Sequence, residues 1–74
     1  MCTIVGFKKV VSKKDSILYV ELHIVADDRQ VEGQVAYSVF VRGDQIDTLS
    51  SLAVGAPCDI FYNRFGRAER VLIL

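Results

Sequence analysis

The sequence predicts an all-β chain, a small five-stranded barrel with a short helix between strands three and four. Three observations predict it. Short runs rich in Val, Ile, Leu and Tyr alternate apolar with polar residues at period two. Clusters of Gly, Asn, Asp, Ser and Lys interrupt those runs at short intervals. One stretch alone, Ile46, Leu49 and Leu52, changes to a three-residue spacing. Five short strands with a helix after the third suggest an OB-like barrel, with an SH3-like barrel as the alternative; both remove most free edges by closure.

The first strand is read over Thr3 to Val11, where Val and Ile are frequent, and it stops at the polar hairpin loop Ser12 to Ser16. The second strand, Ile17 to Val25, is the clearest. Leu18, Val20, Leu22 and Ile24 fall on one face, and Tyr19, Glu21 and His23 on the other. Asp27-Asp28 and Gly33 mark the charged turn that follows. The third strand, Gln34 to Arg42, sets Val35, Tyr37, Val39 and Val41 against Gln34, Ala36, Ser38, Phe40 and Arg42. Asp44 is then expected to cap a helix of one or two turns over Gln45 to Ser51, its carboxylate accepting from the free amides of the first turn. Gly55 and Pro57 turn the connector into strand four, Cys58 to Asn63. Asn63 and Gly66 suit a tight hairpin turn, and strand five runs from Arg67 to Leu74. No repeat, linker or low-complexity tract divides the chain, so residues 1–74 are read as a single domain.

Composition narrows the function classes. The chain has 74 residues, 51% of them hydrophobic, with one Pro and no Trp. That is too apolar for disorder. It also exceeds what a lone small domain easily covers, so self-association as a homodimer is expected. Nine basic residues balance nine acidic ones, so only the distribution of charge could favour a nucleic-acid partner. Cys2 and Cys58 lack metal-ligand spacing and are expected to be free thiols. The sequence opens without a basic segment followed by a long apolar one, and no apolar run is long enough to span a membrane, so a cytoplasmic, non-membrane protein is expected.

No catalytic site, metal site or cofactor is expected. His23 is the only histidine, and no nucleophile stands near it in sequence. Cys58 has no histidine or helix N-terminus beside it and reads as a small core residue. Asp27 with Asp28 reads as turn chemistry, and Asp44 with Asp47 as helix capping, because a cation site needs several converging oxygens. The five glycines are scattered at bends and form no phosphate loop.

One cluster stands apart. Phe61-Tyr62-Asn63-Arg64-Phe65-Gly66-Arg67 places three aromatics and two arginines around a hairpin. Alternation sends Phe61 and Tyr62 to opposite faces, so one of them should enter the core. Phe65 sits at the bend, where its ring is a stacking platform for a base, folds back on the hairpin, or is part of a subunit interface. Arg64 and Arg67 can pair with phosphate. Lys8, Lys9, Lys13 and Lys14 flank the other hairpin, and Tyr19 lies on the solvent side of strand two. In OB-type barrels the face of strands two and three and these two loops bind oligonucleotides. The expectation is that the bend near residue 14 and the bend near residue 65 lie side by side.

The phrase Leu52-Ala53-Val54-Gly55, then Pro57-Cys58-Asp59-Ile60-Phe61-Tyr62-Asn63-Arg64-Phe65-Gly66-Arg67, resembles the end of many small barrels of this sort. In size and rhythm the chain is similar to the OB-fold single-stranded-DNA-binding proteins of phages and mobile elements, the filamentous-phage helix-destabilising type, which are dimeric barrels that coat displaced strands. It departs from them in carrying no net positive charge. The resemblance implies a non-catalytic single-stranded nucleic-acid binder serving phage or mobile-element DNA replication, with Lys13, Lys14, Tyr19, Arg64, Phe65 and Arg67 as its contacts. The alternative is an assembly module that forms a homo-oligomer and binds no nucleic acid.

Overall fold

The structure, a computed structural model, describes residues 2–74. Five strands form one antiparallel sheet: β1 (Cys2–Val11), β2 (Leu18–Asp27), β3 (Gln34–Arg42), β4 (Pro57–Tyr62) and β5 (Ala68–Ile73). Their spatial order is β3-β2-β1-β4-β5. Three hairpin-linked strands and a fourth that returns beside the first make a Greek key. Among the described residues no helix is long and apolar enough to cross a membrane.

The alternation of β2 survives intact. Val20, Leu22 and Ile24 are fully buried, and they pack with Ile4, Val39, Val41, Ile46, Cys58 and Val71. Burial of each such side chain contributes about 1.5–3 kcal/mol. In β1 the pattern is broken by a bulge: Ile4 pairs with Ile24 and Gly6 with His23, leaving Val5 as the extra residue. A bulge shifts later side chains to the other face. Lys8 and Val10 thereby come opposite Glu21 and Tyr19, on the side away from the core.

The expected closure does not occur. β3 and β5 are both edge strands, without a ladder between them. The connector takes the place such a ladder would need: Ile46 bridges to Val71 in parallel sense, and the Asp47 N–H donates to the Val71 carbonyl at 3.0 Å.

The expected helix over Gln45 to Ser51 is also absent. Two 3₁₀ turns, Gly43–Gln45 and Leu49–Ser51, stand in its place. Ile46 between them is extended, at φ −98° and ψ 114°, because it is held in the bridge to Val71. Asp44 does not cap; its carboxylate meets Arg42 at 3.4 Å, while the Arg42 N–H donates to Gln45 Oε1 at 2.9 Å. Gly43 sits where a Cβ would come within 3.1 Å of the Leu18 side chain, so the chain turns tightly over β2 here. Neither Phe61 nor Tyr62 enters the core; they remain 49% and 47% exposed. The smaller Cys58, Ile60 and Val71 supply the hairpin's inner contacts instead.

Candidate nucleic-acid interface

β2 and β3 pair without interruption from Tyr19↔Arg42 to Asp27↔Gln34. Since side chains alternate, the residues between the core positions form a second, solvent-facing surface. Its rows run Val10–Tyr19–Arg42, Lys8–Glu21–Phe40 and Gly6–His23–Ser38 across β1, β2 and β3. The first two rows carry the candidate site.

Tyr19 and Phe40 are diagonal neighbours on this surface. Their ring centroids are 5.4 Å apart and their planes lie within 10°, a parallel stack. Phe40 is 59% exposed, so most of its area gains nothing from burial. Tyr19 is better anchored: its hydroxyl donates to Asp15 Oδ2 at 3.3 Å in the first hairpin loop. Packing against the sheet, and then the Asp15 carboxylate, raise the Tyr19 phenol above its ordinary value. The Ile17 N–H, donating to Asp15 Oδ1 at 3.1 Å, is the main cause that lowers the Asp15 carboxyl.

Phe40 also lines a hollow of about 470 Å³ between β3 and the β4–β5 hairpin. Tyr37, Ser38 and Val39 form one wall; Tyr62, Gly66, Arg67 and Ala68 form the other. Burial, and then the neighbouring Tyr62 hydroxyl, push the Tyr37 phenol well above its ordinary range. The hairpin is shaped by Asn63, whose Oδ1 accepts from the N–H groups of Phe65 (2.9 Å) and Arg67 (3.1 Å). Gly66 takes φ +78°, the left-handed conformation the turn requires. At its tip Phe65 is 75% exposed and does not fold back; the Arg64 guanidinium lies 5.0 Å from its ring centroid.

The two bends are not side by side. β1 and β4 are antiparallel through Cys2↔Cys58 and Thr3↔Pro57, so they leave that pair in opposite directions, β1 toward residues 12–16 and β4 toward residues 63–66. What links them is the stack: Tyr19 is tied to the first bend through Asp15, and Phe40 shares its hollow with Gly66 and Arg67 of the second. Of the six expected residues, Tyr19 and Arg67 converge on Phe40. Arg64 and Phe65 sit on the hairpin tip, and Lys13 and Lys14 are exposed at the far bend. Sequence reading missed Phe40 and Arg42, and set Lys8 only among the lysines that flank the first hairpin. Phe40 had a legible signal, a large aromatic on the polar side of an alternating strand. The face that Lys8 takes had none, since the bulge decides it.

The charges on this surface are mixed. Among the described residues Lys8, Lys13, Lys14, Arg64 and Arg67 have no carboxylate within salt-bridge range, whereas Arg42 has Asp44. Glu21 Oε2 lies 3.1 Å from His23 Nε2 and accepts a hydrogen bond from the ring N–H. Ser38, opposite His23, makes no hydrogen bond to it among the described residues. The arrangement offers flat rings flanked by cations, a surface suited to stacking and to phosphate. Comparison with protein-family models, curated proteins and solved structures finds no match to this chain.

Proposed function

We propose that the chain is a single-stranded nucleic-acid-binding module of the OB type, acting without chemistry in the DNA replication of a phage or mobile element. The observation that carries the reading is the Tyr19–Phe40 stack on the outer side of β2 and β3. An aromatic pair on a sheet surface with one ring, Phe40, more than half exposed is poor use of apolar area for folding and good use of it for base stacking, worth about 1–3 kcal/mol per base. Arg67 and Lys8 beside it, and Lys13 and Lys14 farther along, supply phosphate contacts. The strand order, a Greek key with β3 and β5 as its open edges, supports the OB assignment, since that fold is a partly open five-stranded Greek-key barrel. The resemblance in size and rhythm to the filamentous-phage proteins supports the biological role.

The test is fluorescence anisotropy of a labelled oligothymidylate titrated with the protein at low and at physiological salt. Binding that weakens as salt rises is expected. Absence of any binding at low ionic strength removes the reading.

Self-association has separate support. The bulged Val5 and Val54, 50% and 69% exposed, flank the 2.7 Å hydrogen bond from the Gly55 N–H to the Ile4 carbonyl. A homodimer through this apolar pair leaves the aromatic face free. Sedimentation equilibrium should give a dimer that Val54→Glu converts to monomer. A dimer that binds no oligonucleotide would leave assembly as the function.

A further inference from the structure

Cys2 and Cys58, the only two cysteines, stand directly opposite each other in the β1–β4 ladder. Both are free and buried, and their Sγ atoms are 3.4 Å apart. Opposed residues of an antiparallel pair lie about 4.5–5.5 Å apart at Cα, inside the span a disulfide accepts. Their place in the sheet is equally specific. The β1–β4 ladder has two register pairs, Cys2↔Cys58 and Thr3↔Pro57, and is the thinnest join in the sheet.

We infer that Cys2 and Cys58 form an oxidative modification site, at which a small disulfide of the glutathione class converts the two thiols into a cross-strand staple between β1 and β4. One cysteine loses its proton, and its thiolate attacks a sulfur of the small disulfide, expelling one small thiolate and leaving a mixed disulfide. The second cysteine then attacks the protein sulfur of that bond. The second small thiolate departs, and the two protons lost by the cysteines end on the two small thiols. The protein is oxidised by two electrons and the small disulfide is reduced by two.

The same environment sets the rate. Burial, and then the hydrogen bond with Cys2, push the Cys58 thiol up to about 12, so little thiolate exists at neutral pH. Both thiols are also buried, so reaction with a small disulfide requires the two-pair join to open first, and the staple forms when the hairpin parts from the meander and returns. The crosslink joins residues 56 positions apart, and a loop of that length strongly restricts the unfolded chain. This inference is independent of the nucleic-acid reading.

The test is equilibration of the full chain with reduced and oxidised glutathione, in water and in mild urea that increases opening, followed by thiol titration, intact mass and melting. Both thiols should disappear, the mass should fall by two hydrogen atoms per chain, and Tm should rise by roughly 10 °C or more. Dithiothreitol should reverse all three, and Cys2→Ser, which keeps the buried Cys58, should form no internal crosslink. Thiols that stay reduced under both conditions would overturn the proposal. So would products that are only covalent dimers or mixed disulfides, or an internal disulfide that lowers Tm.

Discussion

In the β1–β2–β3 meander, long ladders run from Val11↔Leu18 to Cys2↔Ala26, broken only by the bulge at Val5, and without interruption from Tyr19↔Arg42 to Asp27↔Gln34, and the core side chains of β2 lie wholly buried between them. The β4–β5 hairpin has a short ladder of its own, two register pairs to β1, and one bridge from Ile46 to Val71. The difference separates stability from surface chemistry. The meander holds the fold, so it can spare Phe40 for the outside. The hairpin contributes few inner side chains and keeps Phe61, Tyr62 and Phe65 exposed. The candidate interface draws on both, with Tyr19 and Phe40 on the rigid part and Arg67 on the lightly held part.

That contrast can be broken most forcefully from inside. Leu22→Ala removes a fully buried side chain at the centre of the meander and should cost about 3–5 kcal/mol, read as a fall in the urea midpoint or as loss of the folded state. Val71→Ala, the hairpin's buried anchor, should cost about 2 kcal/mol. Its sharper signature is faster amide exchange in β4 and β5 than in β2. Equal acceleration in all strands would contradict the division.

On the surface the order reverses. Phe40→Ala should weaken oligothymidylate binding about tenfold while leaving the melting temperature within a few degrees. Phe65→Ala, at the tip of the hairpin, should have a smaller effect on affinity and none on folding beyond about 0.5 kcal/mol.

Acid provides a milder probe of the hairpin's attachment. The Arg70 guanidinium, through its two-pronged hydrogen bond, holds the Asp47 carboxyl below its ordinary value of 3.8. A carboxyl depressed in the folded state is protonated first in the unfolded chain. Its contribution is therefore intact above the ordinary carboxylate range and is lost as pH falls from about 4 through the lowered value. Asp15 has the same sign, its carboxyl lowered chiefly by the Ile17 N–H. Melting across this window should show a shallower acid decline in Asp47→Asn than in the parent chain.

The meander was largely legible because period-two alternation and burial agree there: Leu18 through Ile24 and Val35 through Val41 declare their faces. The bulge at Val5 was not, since one extra residue leaves no compositional trace. The connector was misread for a different reason. Ile46, Leu49 and Leu52 repeat at three residues, which is also the period of a 3₁₀ turn, and a bond between Asp47 and Val71 that spans the fold overrides local helix preference. For the proposed site, Tyr19 and Arg67 were named from residue type and position. Phe40 was visible in the sequence as an aromatic among polar neighbours, but its partner is set by the diagonal geometry of β2 and β3.

The central claim is that the outer side of β2 and β3 receives nucleobases. A titration of isotope-labelled protein with oligothymidylate, followed by amide chemical shifts, tests it most directly. The largest changes should fall at Lys8, Tyr19, Phe40, Arg42 and Arg67. Changes confined to Val5, Val54 and their neighbours, or no changes at all, would contradict it.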